Sequence, residues 1–174
     1  MSFLTNLLET TPHFGKAIEQ AEQQSKTTEA NTERLNLLVQ LAYCYGYVQL
    51  QKGVAAAEEA ISLAETLSHQ SMKANALCAK AMNEFRIGYV ARAQATARQA
   101  LAIFENISDE EGKCDAYFQL GTMPYISEGP GDTTWHLEKA RKEYGALGNT
   151  TGVYLMRIQQ TYQLFLAARF EEGT

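Results

Sequence analysis

The chain has 174 residues, 45% apolar and 20% charged, with a formal charge of −5, the composition of an ordinary globular chain. That charge argues against a nucleic-acid surface built on clustered Lys and Arg. No stretch approaches 18 uninterrupted apolar residues, so no membrane span is expected. Residues 1–6 lack the basic start and apolar core of a signal peptide, which leaves a cytoplasmic protein as the expectation.

Residues 1–30 read as an N-terminal cap, with a short helix over 3–8, a break at Thr11-Pro12 and a helix over 14–26 with Ala17, Ile18 and Ala21 on its apolar side. Asn31 is a candidate N-cap for a helix over 32–51, whose Leu37, Leu38, Leu41, Tyr45 and Val48 recur at threes and fours. Lys52-Gly53 is expected to turn the chain into an alanine-rich helix over 54–67. A helix over 73–87 should stop at Gly88, and one over 90–106 carries Ala93, Ala97, Ala100 and Phe104 on one side. Ser108 with Glu111 reads as a capping box for a helix holding Tyr117, Leu120, Gly121 and Tyr125, kinked by Pro124. After the loop over 127–132, Asp132 or Thr133 would cap a helix to 147. Asn149 or Thr150 would cap the last, over 153–170.

These segments repeat. Tyr45, Phe85, Tyr125 and Phe165 each follow the last by forty residues. The same step superposes Ala60 on Ala100 and Ala140, Ala57 on Ala97 and Leu137, Ala64 on Phe104 and Tyr144, and Gly112 on Gly152. A fixed period of this size marks units that bury their apolar faces only by stacking. The expected fold is therefore all-α, a right-handed α-solenoid of antiparallel helix hairpins. Residues 31–174 would form three hairpins and the first helix of a fourth. That helix lacks a partner, so the sequence is expected to be a fragment of a longer chain, or to have its open end covered by another copy.

Tyr117-xx-Leu120-Gly121 followed by Thr133-xxx-Leu137-xx-Ala140, with Gly88-Tyr89-Val90 preceding Ala93, Ala97 and Ala100, resembles the tetratricopeptide repeat in its longer, roughly forty-residue form. Glu84 and Pro124 stand where that family has an aromatic. The resemblance implies a superhelix that binds a protein or peptide segment, often as the sensory part of a bacterial signalling regulator. It also implies that the first helix of each unit lines a concave groove. The positions carried over are Asn75, Ala79, Met82 and Arg86, then Asp115, Gln119, Thr122 and Tyr125, then Leu155, Gln159, Tyr162 and Gln163. Amides suit an extended backbone, and Tyr and Met suit varied apolar partners. The same residues also fit an ordinary core and solvated faces.

Nothing in the sequence points to an enzyme, a cofactor or a metal. His13, His69 and His136 lack partners at ligand spacing, and Cys44, Cys78 and Cys114 form no CxxC pair, as for buried thiols in a reducing compartment. Residues 129–134 lack the Lys and glycine spacing of a phosphate loop. Residues 71–104 carry five bases against Glu84, net +4, and 105–128 carry six acids against Lys113, net −5. That contrast suits either solvated faces or steering of a charged partner or second copy. A self-association module built on the open last helix is the alternative function, and an enzyme with an unrecognised site the remote one.

Overall fold

The structure, a computed structural model, describes residues 14–123 and 131–172, with the side chains of 18–123 and 135–162. Among the described residues there are eight helices and no strand: α1 Phe14–Thr27, α2 Thr32–Tyr45, α3 Leu50–Thr66, α4 Gln70–Ile87, α5 Val90–Asn106, α6 Glu110–Thr122, α7 Gly131–Ala146 and α8 Thr150–Glu172. Each packs on the next in sequence, so the fold is a helical stack of the repeat type. The helix expected over 3–8 and most of the loop over 127–132 lie outside the described residues.

The junctions between hairpins are copies of one another. Ser68, Ser108 and Gly148 all take left-handed backbone, with φ of 54°, 55° and 71°. The next residue's amide then reaches back to the preceding helix, His69 to Ala64 O at 2.8 Å, Asp109 to Phe104 O and Asn149 to Tyr144 O at 2.9 Å. Its side chain caps the following helix: Asp109 Oδ1 accepts from Gly112 N and Asn149 Oδ1 from Gly152 N, both at 2.9 Å, and His69 Nδ1 from Met72 N at 3.4 Å. Ser108 is thus the turn residue and Asp109 the cap, one position later than the expected capping box. Asn31 caps α2 as expected, accepting from Glu33 N and Arg34 N.

Other boundaries differ too. The first hairpin turns at Gly46–Gln49, while Lys52 and Gly53 lie inside α3. Gly53 is needed there for clearance. A Cβ at that position would come within 2.1 Å of Asn83 Oδ1, and Asn83, fully buried, donates to Ala42 O at 2.9 Å and Ala79 O at 2.8 Å. α7 is described from Gly131, so the backbone of Asp132 and Thr133 is helical, and their side chains lie outside the described residues. α4 stops at Gly88 as expected, with φ of 103°.

The three second helices face inward with the equivalent positions Ala57, Ala60, Ala64; Ala97, Ala100, Phe104; and Leu137, Ala140, Tyr144, all at most 1% exposed. Where one repeat enlarges a side chain, its neighbour shrinks. A Cβ on Gly112 would come within 2.2 Å of the Phe104 ring, and one on Gly152 within 2.5 Å of the Tyr144 ring; the same two positions at the preceding junction hold Ala64 and Met72. Gly121 likewise makes room for Leu137, where earlier hairpins pair Ala81 with Ala97 and Leu41 with Ala57. Interiors packed to crystal density leave no slack for both partners to be large.

Candidate partner-binding surface

The first helices also pack on one another, α2 on α4 and α4 on α6, which the second helices do not to the same degree. This closes most of the expected groove. Asn75, Ala79, Met82, Asp115 and Gln119 are buried; Thr122, Leu155 and Gln159 are half-buried; only Arg86 and Tyr162 are exposed. Tyr125, and the side chain of Gln163, lie outside the described residues. Asn75 Nδ2 donates to Ser71 O at 3.1 Å within its own helix. Asp115 accepts a hydrogen bond from the Tyr144 hydroxyl. Thr122 Oγ1 donates to Gln119 O at 2.8 Å.

Burial decides the chemistry of this interior. It pushes the Cys78 thiol well up, with the nearby Asp115 carboxylate adding to the effect, and does the same to the Tyr43 phenol beside them. Cys44 is pushed up to about 11 by burial, and Cys114 rises through burial and then the Glu143 carboxylate. All three thiols stay protonated at neutral pH and make poor nucleophiles. Among the described residues no three of His, Cys, Asp and Glu are placed to hold a metal ion. His69 is a helix cap and His136 packs 4.9 Å from the Trp135 ring; His13 lies outside the described residues.

What stands open is one edge of the stack, where the hairpins turn. Tyr47, at the tip of the α2/α3 hairpin, and Tyr89, at the tip of α4/α5, are both about half exposed, with Val48 beside the first. The Arg86 guanidinium lies 4.3 Å over the Tyr47 ring while its Nη1 donates to Gly46 O at 2.5 Å. Arg92 lies 4.4 Å over the Tyr89 ring. Each tyrosine follows a tip glycine, Gly46-Tyr47 and Gly88-Tyr89. The glycine–tyrosine dipeptide at both tips was the signal the sequence offered for this edge. Another exposed ring, Trp135, meets Tyr117 edge-on at 6.0 Å, with Lys139 4.9 Å from its centroid.

Charge is mostly settled within the stack. Lys73 pairs with Glu65 at 2.8 Å, Lys80 with Glu58 at 2.9 Å, and Arg92 with the buried Glu84 at 2.8 Å. Glu84 is already counted in the net +4 of residues 71–104, so two of those four charges, Lys73 and Lys80, are answered by acids of α3. Between α1, α2 and α3 a shallow cavity of about 290 Å³ is lined by Glu22, Arg34, Leu38, Tyr45, Lys52 and Glu59. Four of its charges are paired, Arg34 with Glu59 at 2.6 Å and Lys52 with Glu22 at 3.7 Å, and the Tyr45 hydroxyl donates to Glu22. That last bond holds the Glu22 carboxyl below its usual range.

Among the described residues no helix is long and apolar enough to cross a membrane. No protein-family model matches the chain, and no curated protein matches it.

Proposed function

We propose that this chain is a non-catalytic scaffold of tetratricopeptide-like hairpins that binds a protein or peptide segment, serving as the interaction module of a larger cytoplasmic bacterial regulator. The reading is carried by one observation, the pair of arginine-covered tyrosines Tyr47/Arg86 and Tyr89/Arg92 presented side by side along the hairpin-tip edge. Tyrosine rings are held at the surface with a guanidinium over each; Arg86 gives Nη1 to Gly46 O and Arg92 pairs through Nε with Glu84, and the remaining N–H groups of each fork suit carboxylates. An extended segment with aromatic or aliphatic anchors flanked by Asp or Glu matches that surface. Binding thus moves from the inner face, whose side chains are committed to packing, to the tips; of the residues first carried over, Arg86 keeps its role.

Crosslinking in native lysate, with the chain as bait, tests the reading. Captured partners should be lost from a Tyr47→Ser, Tyr89→Ser, Arg86→Ala variant that melts normally. Undiminished capture by that variant overturns it.

A further inference from the structure

Glu84 and Asp115 are fully buried carboxylates. Asp115 is answered inside the core, by the Tyr144 hydroxyl. Glu84 is answered by side chains that reach the surface. Arg92 Nε lies 2.8 Å from its Oε1 and Lys80 Nζ 4.0 Å from the same oxygen, while Thr96 Oγ1 donates to Oε2 at 2.8 Å. Packing does not require a charge at this position, since Cys44, one period earlier, is also buried. A buried ion pair returns little stability over apolar residues of the same volume. The charge therefore calls for a reason other than the stability of the fold.

That reason lies at the outer end of the pair. Arg92 is exposed, and its guanidinium sits 4.4 Å over the Tyr89 ring. A long exposed side chain ordinarily samples many rotamers. Here Nε is drawn down to Glu84 and the guanidinium is set over the ring, which leaves Nη1 and Nη2 as the donors for a partner. The residues involved also change together along the repeat. One period before Glu84, Tyr89, Arg92 and Thr96 stand Cys44, Gln49, Lys52 and Ala56; one period after stand Pro124, Gly129, Asp132 and His136. Lys52, with no carboxylate at position 44, pairs instead with Glu22 of α1 at 3.7 Å.

We infer that Glu84 is a positioning residue for the tip edge: held by Thr96, it fixes Arg92 over Tyr89, so that the guanidinium meets a partner's carboxylate already in place. The inference rests on the tip-edge reading above. A donor fixed before binding loses less side-chain entropy when the partner arrives.

Nuclear magnetic resonance of the arginine Nε–Hε groups in the isotope-labelled full chain tests this. Arg92 should give a rigid signal displaced by the Tyr89 ring. In Glu84→Gln that signal should become mobile and move to the position of free arginine, with Arg86, held by Gly46 O, unchanged. Thr96→Val leaves every charge in place and should move Arg92 the same way by less. The second measurement titrates the blocked tripeptide acetyl-Glu-Phe-Glu-amide, whose acids and aromatic anchor suit the tip edge. It should bind the parent with a Kd of roughly 1 mM. Neutralising Glu84 makes this edge more positive, so charge alone predicts tighter binding. Loss of positioning predicts binding at least about threefold weaker. Should Glu84→Gln fail to fold, Thr96→Val decides by the same two measurements. An Arg92 signal unchanged by either substitution, or Glu84→Gln binding as tightly as the parent, overturns the proposal and leaves the tip edge standing. A tripeptide that moves neither Arg86 nor Arg92 at roughly 10 mM overturns the tip-edge reading and, with it, the role of Glu84.

Discussion

α4 and α8 hold the same place in their hairpins, yet at five shared positions α4 is buried and α8 is exposed. At the five shared positions α4 carries Ala74, Leu77, Cys78, Ala81 and Met82, and α8 carries Tyr154, Arg157, Ile158, Thr161 and Tyr162. The enclosed helix uses small and flexible residues, because a neighbouring axis approaches closely. The other carries rings and a cation at positions that no described residue covers. In a stack, burial at a position is thus set by which helix comes next, and substitutions should separate the two helices sharply.

The largest effect is expected where reciprocity is tightest. Phe104, fully buried over Gly112, should cost about 3–5 kcal/mol when changed to Ala, roughly 10 °C in Tm. Adding Gly112→Met rebuilds the Ala64/Met72 pairing of the preceding junction and should recover at least half of the loss. A double variant no more stable than Phe104→Ala would break the reciprocity argument. Next comes Arg92→Met. Glu84 is fully buried, held by Arg92 Nε and Thr96 Oγ1 at 2.8 Å, with Lys80 4.0 Å away. Removing one of these partners from a buried carboxylate should cost about 1–3 kcal/mol by chemical denaturation. The matching change on α8, Arg157→Met, should stay within about 0.5 kcal/mol.

The forty-residue step made the enclosed positions legible, because Ala60 recurs as Ala100 and Ala140, and Ala57 and Ala64 are followed at the same step by Ala97 and Leu137 and by the aromatics Phe104 and Tyr144. Helix ends were less so. A Ser at left-handed φ looks like an N-cap in sequence, and only the backbone separates Ser108 from Asp109. Gly53 was read as a turn because sequence does not display the Asn83 side chain it makes room for. The burial of the groove residues was illegible for a different reason. Asn75, Asp115 and Gln119 were carried over as lining from the resemblance, and contact of α2 with α4 and of α4 with α6 encloses them. That contact depends on the spacing between hairpins, which no single-chain pattern encodes. The charge imbalance of 71–104 was legible as arithmetic and illegible as pairing, since Glu58 and Glu65 come from the previous hairpin.

Smaller effects probe the enclosed side further. The folded chain holds its thiols above their ordinary range, so they stay protonated where the unfolded chain begins to lose protons. Their contribution to stability is complete below about pH 8.5, and falls as pH rises through 9 toward the value of about 11 for Cys44. Tm should be flat from pH 7 to 8.5 and decline above it, less steeply once Cys44, Cys78 and Cys114 are Ala. An equally steep decline in the triple variant would assign the loss to other groups. At the turns, Ser108→Gly should raise stability by about 0.5 kcal/mol, because φ of 55° strains Ser while Gly148 serves the next turn freely. A loss would mean that the serine hydroxyl contributes more than its backbone costs.

The smallest effect is expected at Ile158, and there a null result is informative. A buried Ile→Ala change costs about 2–5 kcal/mol, most of it from lost burial and the cavity left behind. Ile158, at 66% exposed, has little burial to lose and leaves no cavity. Replacing it by Ala should shift denaturant midpoints by less than about 0.5 kcal/mol at every protein concentration. A larger loss that grows with concentration would show a second copy already seated on α8. A larger loss independent of concentration would place Ile158 in the chain's own core, and the contrast between α4 and α8 would then have to be redrawn.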